Sequence, residues 1–559
     1  MTARRDEHRI IDTIIKGALL MQVWTKDDLA ICKCQYHEKE LVKAIGDFKF
    51  DKASSAWIFP IRKLVNIIDH LQVSYSPETK VIYEQLRVER QKYHEKINLA
   101  SHVKLDTCNI DHLEGVDISM CYQHQRKAIT LSAMFDSYGL FMDPGLGKTL
   151  TAIKLIEYWR APTIIIAPLS TLESVWVNEI NKWSKLRSVI LWHNMKEWDN
   201  DYDIYIINFE GFKKLNKISK ISKIPIEDKV NCIIIDESAK IKNATSNITK
   251  TILKYRNKIK HKVCLSGIPA PNSMLEYWGQ MAFVNDELLG DNFFKFRNTF
   301  FYSTGYGGYL YKPVIDAKEA IMERIARQAF SLQKEDALDL PEQIFETRLV
   351  YMDDIQAKAY KEMKKENILE FEDSITLAAN ELSKICKLRE ITGGFVINTE
   401  GLPVKISDSK IKVLREILNE IPEDERVIIW IQYHWECVEL KKELGDDAVI
   451  LTGSIPQKEK IKNINLFKEG KKRFLIAHPK SGGHGLNLQM CSYSIWYSLS
   501  YSYEEYEQAC DRCHRIGQVN KAVYFHLIAK DSIDETIYKA VKSKQNLSEA
   551  CLSMLKGVR

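Results

Sequence analysis

The residues that can do chemistry begin with a glycine-rich turn, Asp143-Pro144-Gly145-Leu146-Gly147-Lys148-Thr149, between an apolar run and a helical pattern starting at Leu150. Such a turn at the start of a helix directs backbone N–H groups and the positive end of the helix dipole at one point, which suits a polyphosphate. Lys148 is expected to reach the β- and γ-phosphates, and the Thr149 hydroxyl to hold Mg²⁺. Met142 stands where the strict pattern has glycine, so the turn alone is also compatible with an ordinary loop.

A pair of carboxylates follows further along the chain. Four apolar residues, Cys232 to Ile235, lead into Asp236 and Glu237 and predict a buried parallel strand with both acids at its carboxyl end. Asp236 can hold the hydration shell of Mg²⁺, and Glu237 can orient and deprotonate an attacking water. Acid pairs after a strand are also common in solvated turns, but the position after the glycine-rich turn favours the catalytic interpretation.

Two further side-chain types extend this site. Gln125 precedes the turn and can form a paired donor–acceptor contact with adenine. Arg512 and Arg515, three residues apart on a predicted helix, can bring positive charge to a γ-phosphate when a second lobe closes. Arginines at this spacing are also typical of a solvated helix face.

Composition limits the class of protein. The chain has 559 residues, 45% hydrophobic and 28% charged, which predicts a soluble protein of three or four domains. The net charge of +5 permits nucleic-acid binding through local patches. No apolar run reaches the roughly 18 residues of a membrane span, and the N-terminus lacks the apolar region of a signal peptide. We expect a cytoplasmic protein of bacterial or viral origin, or a nuclear one if eukaryotic, with reduced cysteines and no membrane partner.

The sequence Cys510-Asp511-Arg512-Cys513-His514 matches the pattern of covalent haem attachment. Haem attachment needs an exported chain, and zinc needs a second pair of ligands nearby. Neither condition is met, so we expect no metal or haem at these cysteines.

The order of elements predicts an α/β fold. We expect a small α+β module and connector in residues 1–105, a β/α lobe in 106–275, helical insertions and a linker in 276–405, and a second β/α lobe in 406–559. Alternating strands and helices predict a parallel sheet in each lobe. The second series of strands is expected to begin near Lys410. A tyrosine- and glycine-rich patch at 302–309 favours a surface loop over a base-stacking surface.

These residues occur in an order that resembles the Swi/Snf family of superfamily-two helicase-like ATPases, over about residues 110 to 545. The most specific run is Asp511-Arg512-Cys513-His514-Arg515-Ile516-Gly517-Gln518. The other matching segments are Gln125, 145–149, Ala167-Pro168-Leu169, Asp236-Glu237-Ser238-Ala239, Leu265-Ser266-Gly267-Ile268-Pro269 and Gly482-Gly483-His484-Gly485-Leu486-Asn487-Leu488.

The resemblance implies two RecA-like lobes that use ATP and Mg²⁺ to move along double-stranded DNA, generally without unwinding it. It assigns Gly485 to the nucleotide site. Departures from the family pattern are Met142, Pro144, Ser266, Ile268 and Lys460, none of which removes a group that the chemistry requires. The residues that resemble the family's contacts to DNA phosphates are Pro168, Leu169, Ser170, Asn208, Lys242, Asn243, Thr452, Gly453, Ser481, Gly482 and Gly483.

The N-terminal module resembles the HARP domain of annealing helicases. The resemblance rests on Tyr36, Leu41-Val42, Phe50-Asp51 and Trp57-Ile58-Phe59-Pro60-Ile61. No bromodomain, chromodomain or zinc-finger signature is visible, which favours remodelling of DNA structure over work on histones. Expected partners are double-stranded or forked DNA and proteins of replication, recombination or transcription.

The leading hypothesis is a DNA-dependent ATPase and double-strand translocase that acts on forks, bubbles, annealing strands or bound proteins. A strand-separating helicase, or the motor of a restriction-like complex, is a second hypothesis. A third is a DNA-binding or annealing module that ATP switches without turnover. Glu237 and the two arginines argue against the third.

Overall fold

The computed structural model describes residues 21–46, 48–103, 112–113, 115–192, 196–221, 224–304, 310–337, 340–366, 384–397, 402–482, 488–500, 502–515 and 518–543. The chain divides into two compact units. One comprises residues 1–108 with 290–312, and the other comprises 109–289 with 313–559.

The first unit is built on a mixed five-stranded sheet whose order is β3-β4-β2-β1-β5, in which only the β1–β5 pairing is parallel. Alternate residues of β1 and β2 face a core that also contains Trp57 and Phe59. The strands are β1 (Met21–Lys26), β2 (Leu29–Lys33), β3 (Lys49–Asp51), β4 (Ala56–Pro60) and β5 (Val73–Tyr75), and a separate two-stranded sheet in this unit is made by β14 (Phe301–Thr304) and β15 (Leu310–Pro313).

Among the described residues, four α-helices belong to this unit: Lys39–Ala44, Leu64–His70, Pro77–Ser101 and Phe293–Phe300. The longest begins with Pro77 after Ser76, whose hydroxyl accepts a hydrogen bond from the backbone N–H of Thr79 at 3.2 Å. Serine at the cap and proline at the first helical position are typical of a helix start. Tyr83 anchors the helix to the rest of this unit by donating to the Asp69 carboxylate at 2.7 Å.

The second unit contains two parallel sheets, which confirms the predicted α/β fold. The first sheet has seven strands in the order β10-β11-β9-β12-β13-β8-β16, and every pairing in it is parallel. Its central strands are buried on both faces, as expected of a sheet covered by helices. The strands are β8 (Ser137–Met142), β9 (Thr163–Ala167), β10 (Ser188–Ile190), β11 (Ile204–Asn208), β12 (Cys232–Asp236), β13 (His261–Leu265) and β16 (Ala329–Leu332).

The second sheet has six strands, again all parallel, in the order β17-β24-β23-β20-β22-β21. Its strands are β17 (Gln343–Val350), β20 (Val427–Trp430), β21 (Ala448–Leu451), β22 (Phe474–Ala477), β23 (Tyr493–Trp496) and β24 (Ala522–Ala529). The remaining strands form two small antiparallel pairs, β6 (His112–Leu113) with β7 (Val116–Asp117) and β18 (Phe395–Ile397) with β19 (Pro403–Lys405).

Helices connect and cover these strands. No helix among the described residues combines the length and the apolar character that crossing a membrane requires. The α-helices are Gln123–Phe135, Lys148–Trp159, Asn178–Trp183, Phe209–Ile221, Ile226–Lys229, Asn247–Ile252, Tyr277–Val284, Asp286–Leu289, Ala317–Ala326, Lys334–Ala337, Asp354–Glu366, 384–392, Ser409–Glu420, His434–Leu444, Gln457–Lys468, Pro479–Gly482, Tyr503–Cys510 and Ile533–Lys542.

The boundaries of the segments differ from the sequence-based ones between residues 276 and 405. Residues 290–312 group with the N-terminal unit, β16 completes the first sheet, and β17 belongs to the second. The second sheet therefore takes its first strand from Gln343 and not from near Lys410. Both β16 and β17 are edge strands, with one buried residue each and the rest half-buried or exposed, so neither shows the continuous apolar run that marks a buried strand.

Candidate nucleotide-binding and catalytic site

The glycine-rich turn joins the fully buried strand β8 to the 12-residue helix Lys148–Trp159. Gly145 and Gly147 have φ of +93° and +78°, in the left-handed region that side chains rarely adopt. A Cβ on Gly147 would lie 1.9 Å from the side-chain nitrogen of Gln125, so glycine is required there for space as well as conformation. The turn therefore brings bare backbone to the start of a helix, the geometry expected of a phosphate site.

Two side chains of the helix Gln123–Phe135 hold the glycine-rich turn in place. His124 Nε2 and Gln125 Nε2 both donate to the carbonyl of Leu146, at 3.0 and 3.1 Å. The other amide atom of Gln125 accepts from the backbone N–H of Tyr122 at 3.0 Å. Gln125 is buried, and its side-chain amide, which was predicted to pair with adenine, here bonds to the backbone of Leu146 and Tyr122. Adenine pairing by Gln125 stays a prediction.

Lys148 folds back over the turn. Its Nζ donates to the carbonyls of Met142 and Asp143 at 2.6 and 3.2 Å. Burial lowers the pKa of Lys148, while the carboxylates of Glu237 and Asp236 act in the opposite direction. These two bonds use two of the three N–H donors of the ammonium, which leaves one for a phosphate oxygen.

Asp236 ends strand β12, and Glu237 follows it. The carboxylate of Asp236 accepts from the indole N–H of Trp176 at 2.9 Å and from the backbone N–H of Glu237 at 3.0 Å. Burial, followed by the charge of Glu237, raises the pKa of Asp236 to about 6. Glu237 has φ of +51°, and a non-glycine residue held in this region stores strain of about 1 kcal/mol or more, as is common at active sites.

Trp176 was not predicted as a site residue. It lies in the π-helix Leu172–Val177, fully buried, and its indole fixes one oxygen of Asp236. The sequence gives no signal for this contact, because 60 positions separate the two residues. The turn after β13 also reaches the site, since a Cβ on Gly267 would lie 2.7 Å from Pro144 Cδ.

Asp236 and Thr149 present the oxygen donors that Mg²⁺ prefers, a carboxylate and a hydroxyl. Each Asp236 oxygen carries one protein hydrogen bond, and a carboxylate oxygen can accept a second partner. The residues present therefore fit a Mg²⁺ ion together with its waters.

The arginines come from the second lobe and approach the turn directly. A Cβ on Gly145 would lie 3.3 Å from Arg515 Cβ. Burial and the charge of Arg515 lower the pKa of Arg512 to about 10, and the carboxylates of Asp511 and Glu237 oppose this shift. The predicted helix ends at Cys510, so both arginines lie on the turns that follow it and not on the helix. The structure nevertheless brings Arg515 to the glycine-rich turn and Arg512 close enough to Glu237 for the two charges to interact.

Lys334 is a second residue that the sequence analysis missed. Its backbone N–H donates to the Asp143 carboxylate at 3.0 Å, and its Nζ contacts Asp511 and the His514 carbonyl. It therefore lies between the glycine-rich turn and the arginine segment. Nothing in its local sequence, Gln333-Lys334-Glu335-Asp336, distinguishes it from a surface lysine.

The residues predicted to contact DNA in the first lobe follow three adjacent strands. Pro168-Leu169-Ser170 follow β9, Asn208 ends β11, and Lys242-Asn243 come after the 3-10 turn Ser238–Ile241 that follows β12. Since the carboxyl ends of parallel strands share one edge of a sheet, these segments lie along the same edge. Leu169 is 62% exposed there.

Three polar members of this set have protein partners. Asn208 Oδ1 accepts from the Gly211 N–H at 2.8 Å, and Asn243 Oδ1 accepts from the Thr245 N–H at 3.0 Å. Lys242 Nζ lies 3.3 Å from the Glu504 carboxylate of the second lobe and 3.7 Å from that of Glu276. A DNA phosphate at Lys242 would compete with these two carboxylates.

In the second lobe, the predicted DNA contacts also follow adjacent strands. Thr452 and Gly453 follow β21, and Ser481 and Gly482 are in the helix Pro479–Gly482 that follows β22. The Thr452 hydroxyl is 2.9 Å from that of Ser454. Gly483 and Gly485 lie outside the described residues, as do 305–309 of the tyrosine- and glycine-rich patch.

Cys510 and Cys513 lie in the core of the second lobe, buried among apolar side chains. In the part of the chain that the structure describes, no three histidine, cysteine or acidic side chains form a group that could hold a metal ion.

Comparison with known proteins gives two domain matches. The SNF2-related domain matches residues 122–393, and the helicase conserved C-terminal domain matches residues 409–517. Protein p41 of Acyrthosiphon pisum secondary endosymbiont phage 1 is 27% identical over 453 residues, covering 74% of this chain and 93% of p41. YwqA of Bacillus subtilis, named as a candidate ATP-dependent helicase/translocase, is 27% identical over 444 residues, covering 73% of this chain and 45% of YwqA.

A solved structure titled as the Sulfolobus solfataricus SWI2/SNF2 ATPase core in complex with dsDNA aligns with a TM-score of 0.35 and 23% identity, covering 78% of this chain and 94% of that one. The chain thus spans nearly all of the phage protein and less than half of YwqA.

Proposed function

Because the chain belongs to the SNF2-related family of helicase-like ATPases, we propose that it hydrolyses ATP in response to DNA and uses the energy to move along double-stranded DNA. Its actions on DNA would be remodelling of forks and bubbles, annealing, or displacement of bound proteins. The observation that carries this proposal is the approach of Arg515 to Gly145, because it joins the charge of one lobe to the phosphate-binding turn of the other.

The chemistry divides among the residues of the site. The turn at Gly145 and Gly147, with Lys148, binds the phosphates through N–H groups and the ammonium. Mg²⁺, when bound by Thr149 and Asp236, supplies charge that neutralises the phosphate oxygens. Glu237 orients the attacking water and accepts its proton, while Asp236 is kept in orientation by Trp176. Arg512 and Arg515 stabilise the charge that develops on the γ-phosphate during transfer.

Movement along DNA follows from the position of the other predicted contacts. The segments at Leu169 and Lys242 belong to the first lobe, and those at Thr452 and Ser481 belong to the second. If each lobe binds phosphates of the same DNA strand, a change in the distance between the lobes moves one set of phosphate contacts relative to the other. Because the arginines reach the nucleotide from the second lobe, hydrolysis and release of phosphate alter that distance.

For the N-terminal module, we propose recognition of unpaired or branched DNA. Tyr36 and Phe50 are exposed, and the ammonium of Lys39 lies 3.8 Å from the centre of the Tyr36 ring. Exposed aromatic rings beside lysines are the combination that stacks bases and attracts phosphates. Trp57 and Phe59, which also belong to the HARP-like pattern, are buried core residues.

The proposal is tested by measuring ATP turnover without DNA and with single-stranded, duplex and forked DNA, and by following displacement of a third strand from a triplex. Strong stimulation by duplex, together with triplex displacement without strand separation, is the expected result. Lys148→Ala is the control that should abolish turnover, since it removes the charge that compensates the phosphates. Absence of turnover with every DNA would refute the proposal and support the switched binding module. Strand separation would support the helicase hypothesis instead.

A further inference from the structure

Lys334 makes contacts to both halves of the proposed catalytic site. It begins the short helix Lys334–Ala337 directly after β16, the edge strand of the first sheet. Its backbone N–H donates to the carboxylate of Asp143 in the glycine-rich turn. Its side chain crosses to the second lobe, where Nζ forms an ion pair with Asp511 and donates to the His514 carbonyl at 2.9 Å.

The contact is a buried one. Only 7% of the Lys334 side chain and 13% of the Asp511 side chain are exposed. A buried ammonium is costly unless it is paired and hydrogen-bonded, and removing one partner of such a pair leaves an uncompensated charge. The ion pair therefore forms only when the segment 511–514 is in contact with Lys334.

The same segment carries the arginines. Asp511 precedes Arg512, and His514 precedes Arg515, so Lys334 holds the residue next to each arginine. On its other side, Asp143 receives the Lys148 ammonium on its backbone carbonyl and the Lys334 N–H on its side chain. A continuous set of hydrogen bonds thus runs from the phosphate-binding lysine through Asp143 and Lys334 to the arginine segment.

We propose that Lys334 is a positioning residue that locks the arginine segment onto the nucleotide-binding turn in the closed arrangement of the lobes. This inference rests on the proposed ATP hydrolysis for its kinetic consequence, but the locking itself does not depend on turnover. In this role Lys334 does not contact the phosphates. Its contacts with Asp511 and His514 determine the positions of Arg512 and Arg515.

The kinetic test uses Lys334→Ala in the full chain with saturating duplex DNA. Misplacing transition-state groups by about an ångström lowers rates by roughly 10²-fold, so we expect kcat to fall by about 10- to 100-fold. The Kd for ATP should change by less than about threefold, because the arginines act mainly in the transition state. Lys334→Arg, which keeps the charge, should recover part of kcat.

The structure offers a matched control in Lys410. Like Lys334, it is a buried lysine whose Nζ contacts one carboxylate, that of Asp534 at 3.0 Å, and one carbonyl, that of Tyr497 at 3.0 Å. All three residues belong to the second lobe, so Lys410→Ala should lower thermal stability without the selective loss of kcat. Equal kinetic losses in the two variants, or an unchanged kcat in folded Lys334→Ala, would overturn the positioning role.

A second readout does not need turnover. Fluorophores at the exposed positions Lys214 and Lys442, one in each lobe, report the distance between lobes by energy transfer. With a non-hydrolysable ATP analogue, the Lys334→Ala protein should populate the open arrangement more than the wild type or Lys410→Ala. Identical distributions would overturn the proposal. A wild type that closes without hydrolysing ATP, together with a Lys334→Ala protein that stays more open, would refute the proposed function while supporting the lock.

Discussion

A Cβ on Gly145 would stand 3.3 Å from Arg515 Cβ, closer than side-chain atoms usually approach. One residue is in the glycine-rich turn of the first lobe, and the other follows the last helix before β24 in the second. The two lobes are therefore packed so closely at this turn that an added methyl would require the arginine segment to shift by a few tenths of an ångström.

Gly145→Ala is expected to lower kcat by about tenfold or more, because the added methyl forces the arginine segment away from the turn. The substitution also places alanine at φ of +93°, which costs about 1 kcal/mol or more. Gly470→Ala separates the two effects, since Gly470 has φ of +73° and no atom within 4 Å of its added Cβ. Similar losses of kcat in both variants would contradict the packing explanation; melting temperatures measure the strain.

Glu237→Gln should bind ATP and Mg²⁺ but release phosphate about 10²- to 10⁴-fold more slowly, because the amide keeps the shape and loses the base. Retention of nucleotide on the protein and single-turnover hydrolysis are the measurements. Glu157→Gln is the control, since Glu157 pairs with Lys154 on the helix Lys148–Trp159. Unimpaired phosphate release in Glu237→Gln would remove Glu237 from its assigned role.

Arg512→Ala and Arg515→Ala should each lower kcat by about 10²-fold or more with much smaller changes in the Kd for ATP, because their charge acts mainly in the transition state. Arg415→Ala, which breaks an exposed ion pair with Glu443 in the same lobe, should leave both quantities nearly unchanged. Parallel losses of affinity and rate in the first two variants would indicate ground-state binding instead.

Turnover should depend on the ionisation of Asp236. Its pKa is raised to about 6, and only the carboxylate form suits Mg²⁺. We therefore expect kcat/KM for ATP to fall about tenfold per pH unit below pH 6. A profile that stays flat down to pH 5 would contradict this.

The same shift predicts the sign of a stability change. The folded pKa lies above the ordinary value of about 3.9, so the folded protein binds the proton more tightly than the unfolded chain. The contribution of Asp236 therefore becomes less favourable as pH rises from about 4 to 6. Asp236→Asn should gain melting temperature relative to wild type over that interval, and a constant difference between the two proteins would show that Asp236 does not titrate there.

Tyr36→Ala combined with Phe50→Ala should lower affinity for forked DNA by about 30-fold or more while leaving duplex-stimulated ATP turnover intact, since each of the two stacked bases contributes about 1–3 kcal/mol. Both residues are exposed, and the Phe50 ring also contacts the Trp57 ring, with 4.8 Å between the ring centres, so the melting temperature of the variant checks that the module stays folded. Val81→Ala with Val88→Ala removes exposed apolar groups from the helix Pro77–Ser101 and is the matched control. Fluorescence anisotropy with forked and duplex DNA gives the comparison; unchanged preference for forks would refute the recognition role.

Point variants are preferable to deletion of the N-terminal module. Residues 290–312 belong to the same compact unit, Asp291 forms an ion pair with Arg62, and a Cβ on Gly46 would meet the Lys295 ammonium. Deleting residues 1–105 would therefore remove the part of the protein against which residues 290–312 pack.

The features that sequence predicts well here are those that local chemistry decides. The apolar runs of β9 and β12 indicate buried parallel strands, and Gly145 and Gly147 are needed where the backbone is left-handed. Edge strands such as β17 are half-exposed, so their pattern is weak. The approach of Lys334 to Asp511 depends on contacts across 177 positions, which no local pattern encodes. The burial of Trp57 likewise depends on the helices packed against its sheet.

Residues 333–342 form a short connector between the two lobes, and its length affects how fast the lobes can come together again. The last strand of the first sheet ends at Leu332, and the first strand of the second begins at Gln343, both at sheet edges. Even fully extended, residues 333–342 span only about 35 Å. When Lys334 releases Asp511, the second lobe therefore stays at an effective local concentration of about millimolar, and rejoining is a unimolecular event. Cleavage within this connector would turn each catalytic cycle into a second-order encounter between two separate proteins, with a rate that depends on protein concentration.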